Sequence, residues 1–527
     1  MKKYYKFYLN CLSVFAATAL IATTSVAKNP FEKDVKYKIR NPIDKLVLER
    51  LRKYHIKPAK LSSDAVFLRR VYLDVIGSLP SEKEIRSFLS DKSPGKRSKI
   101  INQLLKRKEF ADYWTLKWGD LLRIKSEFPI NLWPNGVQAY SMWVHNAIEK
   151  NMPYDRFVYE LLTTSGSNFR EPQVNFYRAV QGKTPDSIAN AVALTFMGIR
   201  LNKLSKEQQT AMATFFSRII YKKTEEWKEE IVCLNPEPTN VLQTTFPDGR
   251  KITIQPEHDP RIIFAEWLVS KNNQCFARNI VNRIWFWMMG RGIINPPDDI
   301  SQKNPPSNPK LLAYLEKEFI KSNYNLRHIY KLILNSRTYQ QSSIPQSENP
   351  RAEDLFAYYP VRQLDAEVLI DTICQITDTH EDYVSMVPEP FTFIPKSDTT
   401  ISLADGSISS RFIEMFGRPA RDTGYESERS NKSTTAQRLH FLNSTHLQNK
   451  IKKSQKLKRI IRNGQRRGRN KNNTIQVLYL NILSRYPTEE EVGIIREYFE
   501  LEKGSKKNAM MDIVWALINT KEFLCIH

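Results

Sequence analysis

Four groups of side chains have the types and spacing that could do chemistry. Asp298 and Asp299 lie in a connector bounded by Pro296-Pro297 and Asn304-Pro305-Pro306, where a carboxylate has no regular structural duty. Arg362, Asp365 and Glu367 follow Pro360 at a predicted helix start, and Glu426, Glu428 and Arg429 close a polar run that opens with Arg418, Arg421 and Asp422. Gln437, His440 and Asn443 recur at three-residue steps, on one face of a helix. If these groups meet, close carboxylates raise one another's proton affinity. That would give an acid and a base at neutral pH, as a polysaccharide hydrolase or lyase using paired carboxylates requires. Arg362 or Arg429 would then grip an anionic group bidentately. The competing expectation is a set of Arg–carboxylate bridges that tie helices together, because ion-pair networks gather the same residues.

Other chemistry lacks its pattern. There is no HExxH, GxSxG, GxxxxGK[ST] or GxGxxG after a strand. His440 and His446 are six apart, a poor spacing for two ligands on one helix face. No metal and no cofactor is therefore expected.

The elements that must position these residues are mostly helical. Asp259 caps a helix that begins at Pro260, and Ala277, Ile280, Val281, Ile284, Trp285 and Met288 form one apolar face of the next, which ends at Gly290. Asn308-Pro309 starts a third, and Leu326, Ile329, Tyr330, Ile333 and Leu334 stripe a fourth. The connector between the second and third should be held still, with both carboxylates at the rim. Residues 36–127 read as helices, with Phe110, Trp114, Trp118 and Leu121 as a core stripe. Residues 131–232 continue as helices, including KEQQTAMATFFSRIIY. At 233–259 the alternation VLQTTF-PDG-RKITIQ predicts a β-hairpin linker. The fold class is thus mainly α: two helical domains, 28–232 and 260–527, with a small β-hairpin between them. A helical hairpin recurs near the two ends, since Tyr72, Pro80, Ser81 and Glu84 match Tyr479, Pro487, Thr488 and Glu491 in spacing. Ser81–Glu84 and Thr488–Glu491 each read as a capping box.

Composition bounds the partners. Lys plus Arg number 80 against 56 Asp plus Glu, a net charge of +24. Such an excess favours polyanions, or is simply a solvated basic surface. Between Lys450 and Lys471 basic residues recur with no acid. This run is a phosphate or sulfate contact surface or a solvated linker, and without interleaved aromatic residues it argues against nucleic acid. Residues 1–27 have the Lys-rich start, short apolar run and Ser25-Val26-Ala27 end of a secretory signal peptide, so an exported, periplasmic or extracellular protein is expected. No later stretch is apolar enough to span a bilayer. Cys233, Cys275, Cys374 and Cys525 remain, compatible with one or two disulfides or with buried thiols.

A resemblance covers nearly the whole mature chain. FLRRVYLDVIGSLPSEKEI, NMPYDRFVYELL and FMGIRL, then FARNIVNRIW, PPDDI, NPPSNPKLLAYLEKEF, LILNSRTYQQSS, YPVRQLDAEVLID and ESERSNKSTTAQRLHFLNS, occur in the order of a known family. They resemble the secreted planctomycete-type, cytochrome-associated family whose halves are catalogued as domains of unknown function 1549 and 1553. Better-known members carry Cys-x-x-Cys-His after the segment matching Thr195 to Leu201. Here Asn202-Lys203-Leu204-Ser205-Lys206 stands instead, so no covalent haem and no electron transfer is expected. The family's frequent neighbourhood to secreted sulfatase-like proteins implies polysaccharide, or such a protein, as partner. Two functions follow as expectations: a non-catalytic binding or scaffold protein for an anionic glycan or a secreted partner, and an exported polysaccharide hydrolase or lyase.

Overall fold

In the computed structural model, residues 29–527 are described, apart from 36–37, 238–239, 393, 395–397, 467–470 and 502–505. The expected signal peptide and residues 467–470 of the basic run lie outside the described residues.

The four helices expected between 259 and 343 are Pro260–Val269, Gln274–Met289, Pro309–Lys321 and Leu326–Leu334. Their starts are set locally. Asp259, Asn273, Asn308 and Asn325 each accept a hydrogen bond from a first-turn N–H, and Gly290 ends the second helix at φ 69°. Trp114 sits at the heart of the core, with ring centroids 4.5 Å from Tyr330 and 5.2 Å from Trp287. Tyr154 stacks on Phe276 at 4.9 Å. The apolar core runs without a break from Ile43 to Ile526, so residues 233–259 do not interrupt it.

Strands are few and short. The hairpin Leu242–Thr245 with Lys251–Ile254 forms as expected, around Pro247-Asp248-Gly249. The helical reading of residues 206–221 needs correction. The helix Lys206–Thr214 stops, and Ile219–Lys223 pairs antiparallel with Glu230–Leu234, Tyr221 opposite Val232. Ile219, Ile220 and Tyr221 are β-formers, and the partner strand satisfies their backbone. Gly166–Ser167 adds a third strand.

The two end hairpins both form and lie against each other. Both predicted capping boxes are present: Ser81 with Glu84, and Thr488 with Glu491. In each, the box glutamate binds an arginine lying over the matching tyrosine, Arg107 over Tyr72 at 5.3 Å and Arg485 over Tyr479 at 5.4 Å. Buried Arg69 crosses between the copies, donating to the carbonyls of Ile482 and Phe523, both at 2.9 Å. Strand Arg362–Gln363 pairs with Cys525–Ile526 beside them.

The described part of the basic run is helical, in Thr445–Lys453 and Gln455–Arg466. Leu447, Ile451, Leu457 and Ile461 are buried, and Lys450 turns inward to Glu381 at 3.0 Å. Among the described residues, Cys233, Cys275, Cys374 and Cys525 are free and partly buried. Among the described residues no helix is long and apolar enough to cross a membrane.

Candidate functional site

A buried charged network lies where the nominated residues converge. The helix Lys108–Leu121 supplies one side of it. Tyr113, Lys117 and Asp120 share one face at steps of four and three, while Phe110, Trp114 and Trp118 fill the adjoining apolar face. Asp365, the residue before helix Ala366–Thr377, accepts from Lys117 Nζ at 2.6 Å, Tyr113 Oη at 3.3 Å and Asn431 Nδ2 at 2.8 Å.

Arg429 is the hub. Its guanidinium donates to Asp120 at 2.7 Å and to Glu367 at 2.6 Å, and approaches Asp365 at 3.7 Å. Arg421 holds the other Asp120 oxygen at 2.9 Å. A Cβ on Gly119 would lie 3.1 Å from the Arg421 guanidinium, so a glycine there permits the close approach.

The connector joins the same network. Asp298 Oδ1 accepts from Arg283 at 2.8 Å, and Oδ2 accepts the backbone N–H of Glu426 at 2.7 Å. Glu426 in turn accepts from Arg283 at 3.3 Å and from the Trp287 indole at 3.1 Å. Asp298, Glu426, Asp120, Asp365 and Glu367 are thus met by Arg283, Lys117, Arg421 and Arg429.

Electrostatics follow from this packing. Burial would raise the Asp365 carboxyl, but Lys117 and Arg429 outweigh it and hold it well below the usual carboxylate range. Asp120 is likewise held low, by Arg429 and Arg421 against burial. Glu426 goes the other way: burial lifts it above its ordinary value, with Asp298 adding to the rise and Arg283 opposing it. Next to the network, burial pushes Asp371 up to about 6, although it accepts the N–H groups of Thr400 and Ile401 at 2.8 and 2.9 Å.

The other nominated residues are placed elsewhere. Asp299 faces outward to Lys203 at 2.7 Å, and Asp298, expected at the rim, is buried. Arg200 Nε donates to the Asp298 carbonyl at 3.2 Å and the Ile300 N–H to the Gly198 carbonyl at 2.8 Å, so the segment around Asn202 docks the connector. Arg362 binds Asp74, which also accepts from Tyr339 at 2.7 Å and Tyr359 at 3.0 Å. Glu428 staples its own loop, accepting from the N–H groups of Asp422 and Thr423 at 3.2 and 2.6 Å. Gln437 completes a capping box with Thr434 and donates to the Met415 carbonyl at 3.0 Å. His440 lies edge-on to Phe412 and Phe416, where burial disfavours its protonation, and Asn443 is exposed. The three, on helix Thr435–Asn443, thus stand in different surroundings.

Lys117, Asp120 and Arg283 were not nominated from the sequence. Their signal was present, since Tyr113, Lys117 and Asp120 recur at the same spacing as the aromatic residues beside them. Arg283 is a charged residue flanked by the buried apolar residues Ile280, Val281, Ile284 and Trp285.

Two concave regions lie apart from the network. One is a shallow aromatic recess beside Trp114, Trp118 and Tyr330, and the other is an open cleft of about 570 Å³ bounded by Lys83, Arg86, Gln375, Lys456 and Asn481. None of the nominated residues lines either. Among the described residues, no group of three or more His, Cys, Asp and Glu is arranged to hold a metal ion.

Comparison with known proteins gives two family matches. Residues 42–233 match the model described as PSCyt2, a protein of unknown function (DUF1549), and residues 260–499 match PSD1, a protein of unknown function (DUF1553). No curated protein and no solved structure matches the chain. The first model thus matches the N-terminal half of the chain and the second the C-terminal half.

Proposed function

We propose that the protein is a non-catalytic binding or scaffold protein, exported from the cell, that holds an anionic polysaccharide. The observation that carries this reading is the engagement of Arg429 with Asp120 and Glu367 at 2.7 and 2.6 Å, inside a network that also occupies Asp365, Asp298 and Glu426. A catalytic acid–base pair needs carboxylates that reach a substrate, with geometry to place it between them. These carboxylates face arginines, a lysine and backbone N–H groups instead. The excess of 80 basic over 56 acidic residues supports a polyanionic ligand.

The second reading, a polysaccharide hydrolase or lyase, rests on Glu426, whose proton affinity burial raises beside Asp298. One experiment separates the two. The mature protein is incubated with sulfated and uronate polysaccharides, and both retention and new chain ends are measured. Salt-dependent retention without new reducing or unsaturated ends is expected. Chain ends that disappear in Glu426→Gln would establish the second reading.

A further inference from the structure

A corner of aromatic rings, two exposed and one half-buried, stands on three separate segments. Trp227 is 64% exposed and Phe391 is 49% exposed, although both belong to residue types that normally supply core. The Trp133 ring centroid lies 6.2 Å from that of Trp227 at an interplanar angle of 84°, and 5.4 Å from that of Phe391 at 57°. The rings therefore form walls, not a flat patch. Lys228 stands between two of these walls, its ammonium 4.8 Å from the Trp133 ring and 5.1 Å from the Trp227 ring.

The segments that carry Trp133 and Trp227 are fixed. Trp133 (φ 68°) and Lys228 (φ 62°) both adopt left-handed backbone, which a non-glycine residue keeps only where the surroundings enforce it. Arg178 donates to the Leu132 carbonyl just before Trp133 at 3.3 Å. The Glu229 carboxylate, next to Lys228, accepts from Thr224 at 2.7 Å and from Ser167. Polar side chains bond one another and hold the turn, while Trp227 faces solvent. This is the reverse of the usual partition and marks a surface built for contact.

We infer that the corner of Trp133, Trp227 and Phe391 with Lys228 is where an anionic polysaccharide docks, one sugar ring against the aromatic walls and its carboxylate on Lys228. The inference rests on the proposed function and gives it a place. A pyranose has apolar C–H faces and a polar rim, so it needs an apolar wall beside a cation. Charge sets the class further. Glu225 and Glu226 are exposed on the same turn as Lys228 and repel densely charged chains. The corner therefore suits a chain with one well-spaced carboxylate per repeat, such as a uronate on alternate sugars, rather than a highly sulfated chain.

Unsulfated chondroitin, with its alternate uronates, is the probe, and poly-L-glutamate is the polyanion without sugar rings. Binding is measured in buffer of physiological ionic strength for the wild type, Trp227→Ala and Lys228→Glu, and melting temperatures are recorded alongside. For chondroitin, each variant should weaken affinity about tenfold, equivalent to about 1.4 kcal/mol, with melting unchanged. Poly-L-glutamate should not distinguish Trp227→Ala from the wild type. Chondroitin bound equally by all three proteins overturns the inference and leaves the proposed function standing. If the wild type retains no polysaccharide of any kind, both are overturned. Self-association lost in Trp227→Ala, with chondroitin binding unaffected, would make the corner an interface between copies and overturn the inference as well.

Discussion

The charged network around Arg429 and the aromatic corner around Trp227 invert the usual roles of their residue types. In the network, carboxylates and guanidinium groups are inside, and their partners are one another. In the corner, Trp227 and Phe391 are outside with Trp133 half-buried beside them, and a lysine stands against two of the rings. Buried ion pairs hold geometry at a desolvation cost, and removing one partner leaves the others stranded. Exposed aromatic rings contribute little to the fold but much to an interface. Polar spacing in the sequence therefore leads to the part of the molecule that holds its halves together, while a contact surface is made of residues that read as core.

The comparison breaks most readily at its hub. Arg429→Met should destabilise the protein by about 3–5 kcal/mol, because Glu367 would be left buried without its cation and Asp120 would keep only Arg421. Denaturant unfolding checks this, and a loss below about 1 kcal/mol would show the network to be dispensable.

Acidity sharpens the same contrast. Asp120 and Asp365 are held low in the fold, so their contribution is present above the unfolded carboxylate value of about 3.9 and is lost as pH falls below it. Asp371 has the opposite sign. With its carboxyl pushed up to about 6, the folded state holds the proton more tightly than the unfolded chain, so stability declines as pH rises from about 4 to 6. Asp371→Asn should remove that decline, about 2–3 kcal/mol, as read from melting curves across this range. A decline that persists in the variant would assign it to other groups.

Smaller effects mark the edges of the two regions. Glu428→Gln should cost about 1 kcal/mol, because only hydrogen bonds to Asp422 and Thr423 depend on it. A loss as large as that of Arg429→Met would place Glu428 within the network. Trp227→Ala should change stability by less than about 0.5 kcal/mol, since its ring is largely in solvent. A larger loss would mean that the corner, too, is part of the scaffold.

Much of this arrangement was legible because its signals are local. Asp259, Asn308, Ser81 and Thr488 cap helices through neighbours two or three residues away, and those helices stand where the spacing put them. Asp365, Glu367, Arg421 and Arg429 were legible as a charged group, and so was the choice between catalysis and bridging. Their partners were not. Lys117, Asp120 and Arg283 sit in helices whose aromatic faces dominate the pattern, and the pairings span as many as 309 positions. Strand Ile219–Lys223 was read as helix because an apolar run after a helix looks continuous until its partner at Glu230–Leu234 is known. Trp227 and Phe391 give no sign of exposure in the sequence, since their residue types favour burial and only the turns decide otherwise.

The bonds from Arg69 and Arg70 to Phe523 and His527 have a consequence for the order of assembly. They join positions 454 and 457 residues apart. Contacts of such separation form slowly, because the intervening chain must first give up its freedom. Beyond the carbonyls of Ile482, Tyr339 and Gln341, the two guanidinium groups of helix Asp64–Ile76 thus have acceptors that arrive only with residues 520–527, the carbonyls of Phe523 and His527. Until then Arg69 and Arg70 lack those acceptors, and the early helix keeps a polar, unfinished side. A fragment cut at residue 499, where the second family match stops, would carry that unfinished side permanently, and the half upstream of it would inherit the defect.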